Sequence, residues 1–234
     1  MSRETERLAD AVAARERVLL AFLESEKRQL ALCCHALARA FHRGGTLLAY
    51  GSGAAETDAR HVAVEFMHPV VVGKRALPAL APPNDVRGLL RAGDVAVSIT
   101  HGEEDDGTRA FREHARSRGA TTVAFTGAVA VADADFSFCV PSDDPQVVQE
   151  VQETAYHVLW ELVHVFFEHP GLLEDACITC GDVAVEGRVV EVRGSTAVIE
   201  RDGLREEVAI DLVEGVAAGE TVLCHAGVAL ERLP

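Results

Sequence analysis

Residues 44–66, GGTLLAYGSGAAETDARHVAVEF, place a short apolar run, a glycine turn and an amphipathic segment in immediate succession. The run at 46–50 has the length and the apolar character of a buried strand. Gly51-Ser52-Gly53 supplies the small residues of a tight turn, and residues 56–67 then have helical periodicity. The segment therefore predicts a strand, a turn and a helix, which is the repeating unit of an α/β fold.

The sequence on both sides of this segment continues the alternation. Residues 4–43 carry apolar side chains at intervals of three and four without a proline, so they predict a long helix that ends at Gly44-Gly45. Further strands are predicted at 76–81, 94–100, 121–127 and 136–140, with helices at 107–118 and 145–168. Because apolar strands alternate with helices, we expect a parallel five-stranded sheet sandwiched between helices.

The character of the sequence changes after the last of these helices. His169-Pro170-Gly171 interrupts the helical pattern. The runs VEGRVVEV, STAVIE, EEVAI and TVLCHAG that follow are short, rich in β-branched residues and separated by turn residues. We therefore expect a first domain at residues 1–170 and, at residues 177–234, a small OB-like β-barrel domain with a short C-terminal tail.

The composition restricts the class of protein. With a net charge of -15 the chain would repel nucleic acid, so no nucleic-acid partner is expected. No apolar run reaches the ~18 residues that a membrane span needs, and charged residues interrupt the first 20 positions. Six scattered cysteines do not suit a disulfide scaffold. These features predict a cytoplasmic protein without a membrane partner.

Polar residues on two of the predicted helices form the first candidate site. His61 and Glu65 are four residues apart, which places them on one helical face within reach of a common ligand or metal. The spacing alone favours an ordinary solvated pair. The last helix of this half adds Gln149 and His157, in the pattern Q-E-x6-H.

These motifs carry a resemblance to a known family. Asp58-Ala59-Arg60-His61-Val62-Ala63-Val64-Glu65 matches the pattern D-A-x-H-x-x-x-E, and together with Q-E-x6-H it resembles the SIS (sugar isomerase) domain of phosphoheptose isomerases. The resemblance extends over roughly residues 15–168. It implies an intramolecular oxidoreductase, a sugar isomerase that interconverts an aldose and a ketose such as sedoheptulose 7-phosphate. It also implies a homo-oligomer, a dimer or tetramer, with its site between subunits.

The same resemblance implies roles for individual residues. Glu65 and His157 would act as catalytic acid and base. A zinc ion would be bound by His61, Glu65, Gln149 and His157. The ligand-binding positions would be Gly51, Ser52, Gly53, Thr100, Gly102 and Gln149.

Two loops depart from the family's pattern. The first has Ala54-Ala55 where the family has a phosphate-binding serine, and the second has four carboxylates, at residues 103–106, where the family has small hydroxyl residues. These acids would oppose a phosphate at a helix N-terminus, although they are also ordinary helix-capping residues. Three hypotheses follow: an isomerase with another substrate, a metal or small-ligand binder, or an inactive scaffold.

The C-terminal part has a resemblance of its own. Cys177, the GRVVEV strand and the segment LVEGVAAGETVLCHAG resemble the HypC/HupF/HybG chaperones of [NiFe]-hydrogenase maturation. The resemblance implies that Cys177 and His225 bind iron, and a thiolate with an imidazole also suits zinc or nickel. The family carries this cysteine next to the initiator methionine, whereas a whole domain precedes it here. The roles of Cys180 and Cys224 stay open.

Two functions are therefore expected from the sequence. The first is an accessory protein of [NiFe]-hydrogenase maturation that binds metal or a partner through its C-terminal domain, with the SIS domain as a ligand-binding or metal-binding part. Its partners would be other maturation proteins or the hydrogenase large subunit. The alternative is an aldose–ketose isomerase that acts on a phosphorylated sugar.

Overall fold

A computed structural model describes residues 3–81, 87–168, 173, 185–201, 203–225 and 227–233. The chain divides into two compact units, residues 1–161 and 162–234. The domain boundary expected at residues 170–176 lies, apart from residue 173, outside the described residues and stays a prediction.

A parallel five-stranded sheet forms the centre of the first unit, as the alternating pattern predicted. The strands are β1 (Leu47–Gly51), β2 (Ala79–Leu80), β3 (Val95–Ile99), β4 (Thr121–Thr126) and β5 (Phe136–Cys139). Their order across the sheet is β2-β1-β3-β4-β5. All of β3 and nearly all of β4 is buried, which confirms that both faces of the sheet are covered.

Helices flank this sheet. They are α1 (Arg3–His42), α2 (Ala55–Met67), α3 (Asp106–Ser117) and α4 (Pro145–Glu168), and a 3₁₀ turn lies at Arg87–Leu89. The first helix ends at the predicted glycines: Gly44 has φ of +85°, and the Gly45 N–H donates to the Ala40 carbonyl at 2.8 Å. Helix α2 packs against β1, and α3 packs against β3 and β4.

The predicted strand at 76–81 is wrong in its length, because only Ala79–Leu80 pairs with β1. Pro78 has no N–H and cannot donate to the sheet. Its carbonyl still accepts from the Leu47 N–H at 2.9 Å, so the segment joins the sheet only at its end.

The second unit contains a closed β-barrel, which confirms the fold predicted for the C-terminal part. Its strands are β6 (Val185–Arg193), β7 (Thr196–Arg201), β8 (Leu204–Ala209), β9 (Thr221–His225) and β10 (Val228–Leu233), in the closed order β10-β8-β7-β6-β9. The barrel core contains Val189, Ala197, Ile199, Val208, Val222, Cys224 and Ala229. These side chains alternate along the strands with more exposed positions, as expected for a barrel of this size.

The expectation of a short C-terminal tail is wrong. Residues 228–233 form β10, which pairs antiparallel with β9 and meets β8 in parallel at Val228 and Ala209. Glu231 and Arg232 interrupt the apolar pattern of this strand, which explains why the sequence did not show it. Of the helices that the structure describes, none is both long enough and apolar enough to cross a membrane.

Candidate functional site

The candidate site lies at the carboxyl ends of β1 and β3. From β1 the chain continues through α2 to β2, which lies on one side of β1, whereas β3 lies on the other side. The direction of the strand order therefore reverses between β1 and β3. Open α/β sheets bind their ligands at such a switch point. Helix α2 begins there, α3 begins after β3, and α4 contributes side chains to the same place.

His61, Glu65 and His157 come together in one cluster. His61 Nε2 lies 3.2 Å from Glu65 Oε1 and 3.4 Å from His157 Nε2. His157 Nε2 lies 3.9 Å from Glu65 Oε1. The structure therefore joins a pair from α2 with a residue of α4, 92 positions beyond Glu65 in the sequence (157 minus 65).

The cluster fits a metal ion in both chemistry and spacing. Two imidazoles and a carboxylate are ligands that zinc commonly takes in proteins. With bonds of about 2.1 Å in tetrahedral geometry, neighbouring zinc ligands lie about 3.4 Å apart. The three separations of 3.2, 3.4 and 3.9 Å are close to that value.

Gln149, the fourth predicted metal ligand, contacts Asp58 through its amide nitrogen. Its Nε2 lies 3.1 Å and 3.2 Å from the two carboxylate oxygens of Asp58. His101 lies on the same carboxylate, with Nε2 2.9 Å from Asp58 Oδ2. Asp58 is only 4% exposed, so its carboxylate oxygens need donors such as the Gln149 amide. These contacts use the amide nitrogen, whereas a metal would be bound by Oε1, so Gln149 as a metal ligand stays a prediction.

Two residues of α4 that the sequence did not single out contact the far side of the His61 ring. The Tyr156 hydroxyl lies 2.9 Å from His61 Nδ1, and Glu153 Oε1 lies 3.2 Å from the same atom. A proton on Nδ1 that is shared with these oxygens leaves the lone pair on Nε2, which faces Glu65 and His157. Burial, and then the nearby carboxylates of Glu153, Asp58 and Glu65, raise the pKa of Tyr156, so its hydroxyl stays protonated.

The predicted ligand-binding turns are present, but their polar groups are engaged with each other. Gly51 is required at the start of the first turn, because a Cβ there would lie 2.3 Å from the Ala55 carbonyl oxygen. Ser52 donates its hydroxyl to Asp105 Oδ2 in the second turn. Thr100 directs its hydroxyl at the Gly102 carbonyl, at 3.4 Å, and its own carbonyl accepts from Gln152 Nε2 at 2.9 Å.

Asp105 caps the N-terminus of α3. Its Oδ1 accepts from the Thr108 N–H at 2.9 Å, and its Oδ2 accepts from the Thr108 hydroxyl at 2.9 Å. Partial burial raises the pKa of Asp105, but the hydrogen bonds from Ser52 and Thr108 outweigh it and lower the pKa below its ordinary value. The capping interpretation of this acidic loop is therefore the one that the geometry supports for Asp105.

The neighbouring carboxylates are paired with arginines. Glu104 contacts the guanidinium of Arg112, which also binds Asp133 at 2.6 Å. Arg112 is only 2% exposed, so this is a buried charge network. Glu104 and Asp106 contact Arg109 as well, at 3.3 and 3.2 Å. These contacts attach the loop after β3 to α3 and to the segment before β5.

In the second unit, His225 is the last residue of β9 and is half-buried. Cys177, its predicted partner, and Cys180 lie outside the described residues. Cys224 belongs to the barrel core, where burial, with a smaller contribution from Glu206, raises its pKa to about 12. A buried thiol of this kind packs as a small apolar side chain in the barrel core.

Comparison with known proteins relates both parts to families. Phosphoheptose isomerase of Thermodesulfovibrio yellowstonii is 32% identical over 159 residues, which are 57% of this chain and 79% of that protein. That of Aquifex aeolicus is 32% identical over 169 residues, 62% of this chain and 88% of the relative. A phosphoheptose isomerase structure from Francisella tularensis superposes with a TM-score of 0.62 at 18% identity, covering 70% of this chain and all (100%) of that one.

The parallel sheet and the cluster of two histidines and a glutamate define the first unit as an SIS-type domain. The chain belongs to the phosphoheptose isomerase family through this part. Residues 183–234 match the model of the HupF/HypC family. The protein is thus a fusion of the two, as its two resemblances predicted.

Proposed function

We propose that this chain is an accessory protein of [NiFe]-hydrogenase maturation that binds a metal ion or a partner through its C-terminal barrel. The observation that carries the proposal is the HupF/HypC match at residues 183–234, which falls on a complete closed barrel. Cys177 and His225 would be the ligands there, for iron, zinc or nickel. Other maturation proteins or the hydrogenase large subunit would be its partners.

The SIS domain would contribute a second metal site. His61, Glu65 and His157 would bind zinc, since their donor atoms already have the spacing of ligands. Gln149 would complete the set through Oε1, while its Nε2 keeps its contacts with Asp58. The chain would act in the cytoplasm as a homo-oligomer, a dimer or tetramer.

Metal analysis of protein purified without oxygen tests the SIS site. We expect zinc in the wild type and its loss in His61→Ala, while His114→Ala, a histidine of α3 outside the cluster, keeps it. Equal zinc content in all three proteins would rule out this site.

Complementation tests the maturation role. A strain that lacks this gene should recover hydrogenase activity with the wild-type chain and with Cys139→Ala, which changes a cysteine of the sheet. Cys177→Ala should recover little. Full recovery with Cys177→Ala, together with protein that binds no iron, would contradict the proposal.

A second candidate is an aldose–ketose isomerase, and one observation favours it. Glu65 Oε1 and His157 Nε2 lie 3.9 Å apart on two helices, so an acid and a base could both reach one substrate. This function predicts turnover of a phosphoheptose that is abolished by Glu65→Gln and by His157→Ala. The absence of turnover across a set of phosphorylated sugars would exclude it.

A further inference from the structure

His101 lies in the loop after β3, the loop in which this chain departs from the family's pattern. The residue before it is fixed on two sides. The Thr100 N–H donates to the Phe125 carbonyl at 2.9 Å, and the Thr100 carbonyl accepts from Gln152 Nε2 at 2.9 Å. Gln152 is only 1% exposed, so this attachment to α4 is buried. The backbone that carries His101 therefore has a fixed position relative to α4.

The His101 ring meets a buried carboxylate of α2. Its Nε2 lies 2.9 Å from Asp58 Oδ2, and both side chains are at most 10% exposed. A neutral imidazole that carries its proton on Nε2 can donate to this oxygen, and a protonated one can pair with it. His101 thus gives Asp58 a partner from a different element of the fold, at a depth where water hardly reaches the carboxylate.

The same carboxylate determines which way the Gln149 amide faces. Gln149 Nε2 lies 3.1 Å and 3.2 Å from Asp58 Oδ1 and Oδ2. Because a carboxylate only accepts hydrogen bonds, it selects the amide nitrogen and turns Oε1 away from itself. Asp58 lies one helical turn before His61 on α2. Gln149 lies one turn before Glu153 on α4, whose carboxylate contacts the His61 ring. The amide is therefore held beside the metal cluster with its nitrogen occupied.

We infer that Asp58 and His101 are positioning residues of the SIS metal site. His101 holds Asp58 from the loop after β3, Asp58 fixes the amide of Gln149, and Gln149 offers Oε1 to the metal as its fourth ligand. Partners of this kind orient metal ligands and raise the affinity of a site. The inference rests on the zinc site of the proposed function and deepens it, because it connects the loop after β3 to the metal.

Zinc affinity of the full chain tests the inference by competition with a chromogenic chelator. All proteins carry Cys177→Ala, which removes a predicted ligand of the barrel. Asp58→Ala should lower the affinity about tenfold or more, the usual effect of losing an outer partner of a metal ligand. His101→Ala should lower it about threefold, since it acts one step further away. Glu56→Ala removes an exposed carboxylate of the same helix, paired with Arg60, and should leave the affinity unchanged.

Two further variants separate positioning from charge. His101→Gln keeps a nitrogen donor near the position of Nε2, so it should retain most of the affinity that His101→Ala loses. In Gln149→Leu there is no amide to orient, so adding Asp58→Ala or His101→Ala should change the affinity about twofold or less. A loss caused by the charge of Asp58 alone would persist in Gln149→Leu, because that charge acts on the metal directly.

Cobalt(II) in place of zinc adds a spectroscopic readout, because its visible absorption depends on ligand number and geometry. Gln149→Leu, Asp58→Ala and His101→Ala should change this absorption in the same direction, and His101→Gln should keep it.

Zinc losses of equal size with and without Gln149 would overturn the inference, as would unchanged affinity in Asp58→Ala or in His101→Ala. If Asp58→Ala does not fold, His101→Ala and His101→Gln decide the question in both backgrounds. A Cys177→Ala chain that binds no zinc would overturn the SIS metal site itself and this inference with it. Zinc that is bound equally by all variants would overturn this inference alone.

Discussion

The Tyr156 hydroxyl lies 2.9 Å from Nδ1 of His61, on the side of the ring opposite the nitrogen that faces Glu65 and His157. This contact fixes the orientation of the imidazole, and the carboxylate of Glu153, 3.2 Å from the same nitrogen, favours the tautomer with a free lone pair on Nε2. Tyr156 thereby acts on the metal-type cluster without belonging to it.

Tyr156→Phe should lower zinc affinity by roughly tenfold or more, the usual effect of losing a partner of a ligating histidine. The ring is buried and packs edge-on against Phe125, so the phenylalanine keeps the packing. Competition with a chromogenic chelator measures the affinity. Glu161→Gln, an exposed change on the same helix, is the control and should bind zinc as the wild type. Unchanged affinity in Tyr156→Phe would show that Glu153 alone positions the ring.

Arg112 should be a major contributor to the stability of the first unit. Its guanidinium is buried and contacts Glu104 and Asp133, so Arg112→Leu would leave Glu104 without its buried partner. We expect a loss of about 3 kcal/mol in the free energy of unfolding, measured with urea. Arg109→Gln removes an exposed arginine from the same Glu104 and should cost about 0.5 kcal/mol or less. Equal losses in the two variants would contradict a role for burial.

Much of the fold could be predicted because buried strands appear in the sequence as apolar runs. The apolar runs at β1, β3 and β4 are continuous because helices cover both faces of the sheet. The strand β10 was missed because its second half carries Glu231 and Arg232. The strand β2 was overestimated because Pro78 limits its pairing, which composition alone did not show.

Only the part of the site that lies within a short sequence motif could be predicted. His61 and Glu65 share a helical face, so their proximity follows from spacing. The contact of Ser52 with Asp105 joins turns 53 positions apart, and nothing in either turn indicates it. Gln149 was expected among the metal ligands, and the sequence does not show that its amide nitrogen also contacts the buried carboxylate of Asp58.

The acid side of the stability profile should depend on Asp105 and Asp133. Burial raises the pKa of both carboxyl groups, but hydrogen bonds outweigh it and lower the folded pKa. These bonds come from Ser52 and Thr108 for Asp105, and from Arg112 for Asp133. Since unfolded aspartate titrates near 3.9, the two carboxylates stabilise the fold above about pH 4 and lose that contribution as the pH falls through their folded values.

Asp133→Asn should therefore lower stability at pH 7 and flatten its decline below about pH 4. Urea midpoints measured across this range provide the test. Asp106→Asn, an exposed change in the same network, should keep the wild-type slope. An acid decline in Asp133→Asn that runs parallel to the wild type would contradict the assignment.

Gly187 should be indispensable to the packing of the barrel. A Cβ at this position of β6 would lie 2.5 Å from Ile199 Cδ1 and 3.1 Å from Ile199 Cβ on β7. Because Ile199 is part of the closed core, its side chain has little room to withdraw, and Gly187→Ala should cost about 1–3 kcal/mol. Gly88→Ala, where a Cβ meets no atom within 4 Å, is the control and should be nearly neutral.

A substitution at Ile199 separates overpacking from a need for glycine's backbone freedom at position 187. Ile199→Val removes Cδ1, the atom nearest the new methyl group, at a cost of about 1 kcal/mol by itself. If overpacking is the cause, the double variant should be less destabilised than the sum of the single ones, with a coupling energy of about 1 kcal/mol in a double-mutant cycle. Strict additivity would instead locate the cost in the backbone of β6, since that contribution does not depend on the side chain at 199.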